Sequence, residues 1–209
     1  MAPASLETEA QKKSGDYQDV IERLREDFHN KCYICELKNL QDPEVEHLLP
    51  HKNGRYPERM FDWNNLFWAC GHCNKVKNQA KYEEGIIDCC RQDPEELISF
   101  RFQKADVIAE AKNPEDSKAV LTATLVREVF HLKNTAMRDY KRELRFRELN
   151  KEMNILYDNL EEMKQKPESK AVMRKLKALL RRESGFAAFK RNYVRENAER
   201  FPELLQYIA

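Results

Sequence analysis

Two cysteine pairs, Cys32/Cys35 in "NKCYICE" and Cys70/Cys73 in "ACGHCN", constrain this chain more than any other feature. Two residues separate the thiols of each pair, and 34 residues separate the pairs. That spacing lets both sulfurs of a knuckle reach one tetrahedral ion at about 2.3 Å, so two knuckles predict a closed, structural Zn2+ site of four thiolates. A dithiol redox centre needs one C-x-x-C and gives the second pair no role. The polar start "MAPASLETEAQKKSGDY" lacks the apolar core of an export signal, which predicts a cytoplasmic protein. Thiols stay reduced there, so metal is favoured over disulfides. The loop-rich segment between the knuckles is then expected to fold only around the ion. The remaining cysteines, Cys89 and Cys90, are adjacent, cannot easily reach one ion together, and are expected to be buried.

The rest of the 209 residues divides at about position 100. Residues 1–100 carry 13 lysines and arginines against 19 acids, and residues 101–209 carry 24 against 17, so the positive field belongs to the second half. No run approaches the roughly 18 apolar residues of a membrane span. Val20, Ile21, Leu24 and Phe28 have helical spacing, closed by His29-Asn30. "VEHLL" reads as a strand ended by Pro50, "NLFWAC" as a second strand before Gly71, and "CNKVKNQAKYEE" as a helix. "ISFRF" reads as one further strand. No glycine occurs between Gly85 and Gly185, and no proline between Pro114 and Pro167, which predicts long helices. Phe146, Leu149, Met153, Leu156, Leu160 and Met163 form an apolar seam, either the core face of a bundle or a coiled coil with a partner. Lys170, Arg174, Lys177 and Arg181 share one face of a later helix, either a solvated surface or a phosphate-facing one. The predicted division is a flexible leader over 1–15, a zinc-stapled domain over 16–100, and a basic helical domain over 101–209.

Between the knuckles lie "EVEHLLPHKN" and "WNNLFWACGHCN". Glu46-His47, Leu48-Leu49-Pro50, Asn65-Leu66, Cys70, Cys73 and Asn74, with Lys77 following, resemble in order and spacing the signature of the HNH endonuclease family over residues 31–80. A closer resemblance, through "FHNKCYICE", "VEHLLPHKNG", "FDWNNLFWACGHCN", "DPEELISF" and "NTAMR", is to the HNH subunit of Septu-type antiphage systems, some of them retron-associated. The resemblance implies an α+β fold with a ββα-metal core stapled by the four-cysteine zinc site, an N-terminal helix and a mainly α-helical C-terminal region. It implies a phosphodiester hydrolase acting on DNA beside an ATPase of the ABC/SMC-like class, and in retron systems a reverse transcriptase/ncDNA complex.

Phosphodiester hydrolysis needs activated water and neutralisation of charge on the phosphate. A histidine with a pKa near about 6.5 can take a proton from water, which suits His47 as general base. Mg2+ or Mn2+ held by Glu46 and Asn74 would polarise the phosphate. Glu46 stands where Asp is commoner, and Asn74 where a third His is usual, a choice that favours an oxygen-loving ion. Neighbours on a strand point to opposite faces, so Glu46 and His47 can converge only if the ribbon twists or bulges. Asn65 is expected to orient His47 through backbone bonds; as the bland alternatives, Asn65 is a turn residue and Asn74 a helix cap. His51, Lys52, Lys75 and Lys77 are candidate phosphate contacts. His72 is expected to face solvent, Trp63 and Trp68 to pack the small domain, and Asn134 and Arg138 to serve either a helix contact or the substrate. RNA stays open as substrate, because the motif reads phosphate and not sugar. The rival reading is a zinc-dependent nucleic-acid-binding or structural subunit without catalytic activity.

Overall fold

The computed structural model describes residues 18–104, 106–131 and 136–208. The leader expected over 1–15, and Asn134, lie outside the described residues. The fold is α+β, with two separate two-stranded antiparallel sheets among helices. Helix α1, Gln18–Asp27, buries Val20 and Leu24 and stops at His29 and Asn30, both with positive φ. Strands β1, Pro43–His47, and β2, Leu66–Cys70, pair in register from Pro43 opposite Cys70 to His47 opposite Leu66. Every residue of β2 is buried, because α1 packs against it and the first knuckle folds over it. The backbone N–H of Tyr33 donates to the Trp68 carbonyl at 3.0 Å, and Phe67 lies 4.8 Å from the Tyr33 ring and 5.5 Å from Phe28.

Helix α2, Gly71–Lys77, follows β2 with no connecting residue, since Cys70 is both the strand's end and the helix cap. A Cβ at Gly71 would stand 2.5 Å from the Glu44 carboxylate, so a larger residue there would push the Glu44 side chain aside. The expected helix is shorter than its composition suggests: it ends at Lys77, and Ala80–Tyr82 is a separate 3-10 turn. A short α3, Pro94–Leu97, capped by the Asp93 side chain, leads into β3, Ile98–Gln103, and β4, Asp106–Ala111. β3 runs across the boundary expected at residues 100 and 101. β4 was absent from the expected elements.

The helices then cover both hairpins. α4, Ser117–His131, lies on β4 and touches α2; α5, Ala136–Gln165, is 30 residues long. Leu149, Met153, Leu156, Leu160 and Met163 are buried against α6, Lys170–Leu180, and α7, Ala187–Glu196, so the seam is a core face within this chain. No helix among the described residues is long and apolar enough to cross a membrane.

Candidate metal centre and active site

Cys32 and Cys35 come from the turn after α1, Cys70 from the end of β2 and Cys73 from the first turn of α2. All four are buried, and their sulfurs lie within 4.8 Å of one another. An ion with four bonds of about 2.3 Å in tetrahedral geometry sets its sulfurs about 3.8 Å apart. The 3.9 Å between Cys35 Sγ and Cys70 Sγ fits that edge and is far too long for a disulfide. Four buried thiols gathered at that spacing fit a metal such as zinc.

The thiols do not share one electrostatic environment. Bonds from Cys32, Cys35 and Cys73 hold the Cys70 thiol well below its ordinary range, while burial pushes Cys35 and Cys73 up. Arg145 of α5 donates from Nη2 to Cys70 Sγ at 2.9 Å. His72 is 3% exposed and bonds through Nε2 to the Val129 carbonyl of α4 at 3.0 Å. The expectation that it faces solvent fails because α4, distant in sequence, closes over that side of α2.

Glu44 and Glu46 share the strand face on which α2 packs, and positions 74 and 77 are one turn apart on that helix. The two rows meet one to one. Asn74 Nδ2 donates to Glu44 Oε2 at 2.7 Å, and Lys77 Nζ meets Glu46 Oε1 at 2.6 Å. The Tyr33 hydroxyl donates to Glu46 Oε2. Lys77 also donates to the carbonyls of His47 and Leu48, each at 3.0 Å.

These contacts correct three expectations. Both Glu46 oxygens are engaged and Asn74 is turned to Glu44, so the two do not form the donor pair expected for Mg2+ or Mn2+. Lys77 itself, buried and saturated with acceptors, does not reach out to phosphate. Burial raises the Glu46 carboxyl, against the lowering effect of Lys77 and Tyr33.

His47 ends β1 on the opposite face and turns to the loop beyond it, with Nε2 3.1 Å from the Met60 carbonyl and its ring 4.8 Å from that of His51. A carbonyl only accepts, so Nε2 carries the proton and the ring's lone pair is on Nδ1. Burial lowers the His47 pKa, the Met60 bond opposes this, and His51 and Lys77 add to it. Asn65 braces the same loop: its Nδ2 donates to Leu49 and Arg59 carbonyls at 2.8 and 2.9 Å, and its Oδ1 accepts from the Leu49 N–H at 2.7 Å. His51 accepts at Nδ1 from Gly54 N–H at 3.3 Å. Lys52 is exposed and paired with Glu83, and Lys75 is exposed on α2.

Trp63 and Trp68 are buried, the latter donating to Asn30 Oδ1 at 3.2 Å. Cys89 is half-buried but Cys90 is exposed, against the burial expected of both. Arg138 belongs to α5. Reading the sequence missed Glu44, Tyr33 and Arg145; only Glu44 had a signal, being two residues from Glu46 on the same strand face. A cavity of about 760 Å3 lies between α1, the first knuckle and α7, and His47 and Asn74 do not line it. No family model matches the chain, and no curated protein or solved structure matches it.

Proposed function

We propose that the hairpin and helix around His47 are an HNH-type centre and that the chain is an endonuclease hydrolysing DNA phosphodiester bonds. The observation that supports this best is the stapled arrangement itself. Four clustered sulfurs fix the β2–α2 junction, Asn65 fixes the loop after β1, and between them a half-buried imidazole is held by the Met60 carbonyl.

His47 is the general base. Its lowered pKa keeps the ring neutral at pH 7, and Nδ1 takes the proton of a water as its oxygen bonds to phosphorus, while the P–O3′ bond breaks and the leaving 3′ oxygen takes a proton from bulk water. The Met60 bond holds the tautomer. Asn65 acts on the loop that carries Met60 and holds the ring's orientation, touching no substrate. His51, Lys52 and Lys75 offer cationic or donor groups to the phosphate backbone. Cys32, Cys35, Cys70 and Cys73 would hold zinc, which would supply rigidity and not chemistry. The resemblance to Septu-type HNH subunits adds a setting, an antiphage complex with an ABC/SMC-like ATPase and, in retron systems, a reverse transcriptase/ncDNA complex.

The test is plasmid cleavage by the full chain, with Mg2+, with Mn2+, and with chelator alone, each with and without the co-expressed neighbouring ATPase. Cleavage is expected, and His47→Ala is expected to lower its rate by about 100- to 10,000-fold, the usual share of a general base. Circular dichroism and zinc content should stay at wild-type values. Cleavage retained by His47→Ala removes that residue from the chemistry, and no cleavage under any condition rejects the nuclease reading.

A further inference from the structure

Among the described residues, the buried cation that meets the four cysteines comes from a different part of the chain. Arg145 lies on α5, 75 residues after Cys70, and is 3% exposed. Its Nη1 donates to the Lys141 carbonyl at 2.6 Å within its own helix, its Nη2 to Cys70 Sγ at 2.9 Å, and its Nε has no partner. Among the described residues no carboxylate lies within ion-pair distance of it. Lys141 is paired outward to Asp42 at 3.4 Å, and His72 is a neutral neighbour bonded to Val129.

A guanidinium cannot shed its proton inside a protein, so a buried one requires a negative partner. Four neutral thiols do not provide one. Four thiolates around a divalent ion carry a net charge of −2, and the guanidinium meets that charge at the sulfur of Cys70. We infer that Arg145 is the outer-sphere counter-ion of the metal centre, a hydrogen-bond donor to a metal-bound thiolate that ties α5 to the state in which the ion is loaded.

The inference rests on the reading of the four cysteines as a zinc site. Outer-sphere donors hold charge on the ligand and fix its orientation, and losing one commonly weakens metal binding by about 10- to 100-fold. The bond also joins two elements. The same contact that steadies Cys70 docks the middle of a 30-residue helix on the knuckle. Emptying the site removes the ion that orders Cys70, so the sulfur that Arg145 meets is no longer held in place and α5 loosens there.

The experiment uses the full chain as wild type, Arg145→Gln and Arg145→Lys. Zinc content is measured first, then the rate of zinc transfer to a chromophoric chelator. Cobalt is next substituted to read the thiolate-to-metal charge-transfer band. Hydrogen exchange of residues 136–165 is followed with and without metal. Arg145→Gln is expected to release zinc about 10- to 100-fold faster, with Arg145→Lys between it and wild type. The cobalt band should move to lower energy in Arg145→Gln, because a sulfur without its donor gives up electron density more readily. Metal removal should cut protection of α5 in wild type much more than in Arg145→Gln.

Wild-type protein without bound zinc rejects the metal centre itself and this inference with it. Zinc bound and released at the wild-type rate by Arg145→Gln, with an unshifted cobalt band, overturns the role of Arg145 alone. Loss of α5 protection in a variant that keeps wild-type release makes Arg145 a packing residue and likewise overturns it.

Discussion

Lys77 carries a buried charge that belongs to β1 as much as to its own helix. Its ammonium meets Glu46 and two carbonyls, and both side chains of the ion pair are about 5% exposed. Removing one member of such a pair leaves the other charge without water or partner, which costs about 3–5 kcal/mol. Lys77→Met should therefore lower stability by that amount in urea unfolding, while the double change Glu46→Gln with Lys77→Met should recover most of it. Equal losses in the single and double variants would mean that packing and not charge decides this site. His47 gives a pH prediction with a definite sign. Its folded-state pKa is lowered from 6.5, so more than half of the imidazole is neutral at pH 6.5. The acid limb of cleavage by wild type should have its midpoint below 6.5. The unfolded chain binds that proton more readily, so the His47 contribution to stability is whole above pH 6.5 and declines as pH falls through the folded value. A cleavage midpoint above 6.5 would contradict the burial of the ring.

At the scale of elements, the apolar seam of α5 makes a prediction that separates two structures with the same sequence pattern. Leu156 is fully buried and Ile155, its neighbour, is 36% exposed. Leu156→Ala should cost about 2–5 kcal/mol, independent of protein concentration. Ile155→Ala should stay within about 0.5 kcal/mol of wild type. A midpoint that rises with concentration would instead place the seam between chains. The seam was legible because its 3-4 spacing continues through five buried positions. The first hairpin was legible too, because cysteines, proline and asparagine punctuate it. The second hairpin was half legible. β4, "DVIAEA", buries only Val107 and Ala109 on its core face, its Asp106, Glu110 and two alanines favour strands poorly, and Lys104, not a glycine, takes positive φ at the turn before it. The candidate site divides in the same way. Ligand spacing marked the cysteines, but the partners of Glu46, Asn74 and His72 depend on which helix row meets which strand face, and on α4, 57 residues beyond His72. Local pattern does not encode that.

For the whole molecule, the four-cysteine site is not a separable bead. Residues flanking the first knuckle bond to the segment before α7 and to its first turn: Lys31 Nζ to the Arg182 carbonyl at 2.6 Å, Phe186 N–H to the Glu36 carbonyl at 3.1 Å, and Ala188 N–H to the Glu36 carboxylate at 2.8 Å. Glu95, 7% exposed, binds Arg191 and Arg195 of α7 at 2.9 and 2.6 Å. The cysteine turn therefore holds one end of a path that runs through α7 into the helical core. A ligand that binds only the folded state stabilises it in proportion to the logarithm of its free concentration, about 2.7 kcal/mol at 100 times Kd. Because the knuckle and the C-terminal helices share buried contacts, that stabilisation should reach both halves. Thermal unfolding followed at 222 nm should show one transition in metal-loaded protein. Chelation should move that single transition to lower temperature, and added zinc should restore it. Two transitions, with the later one indifferent to zinc, would mean that residues 101–209 fold independently of the cysteine site.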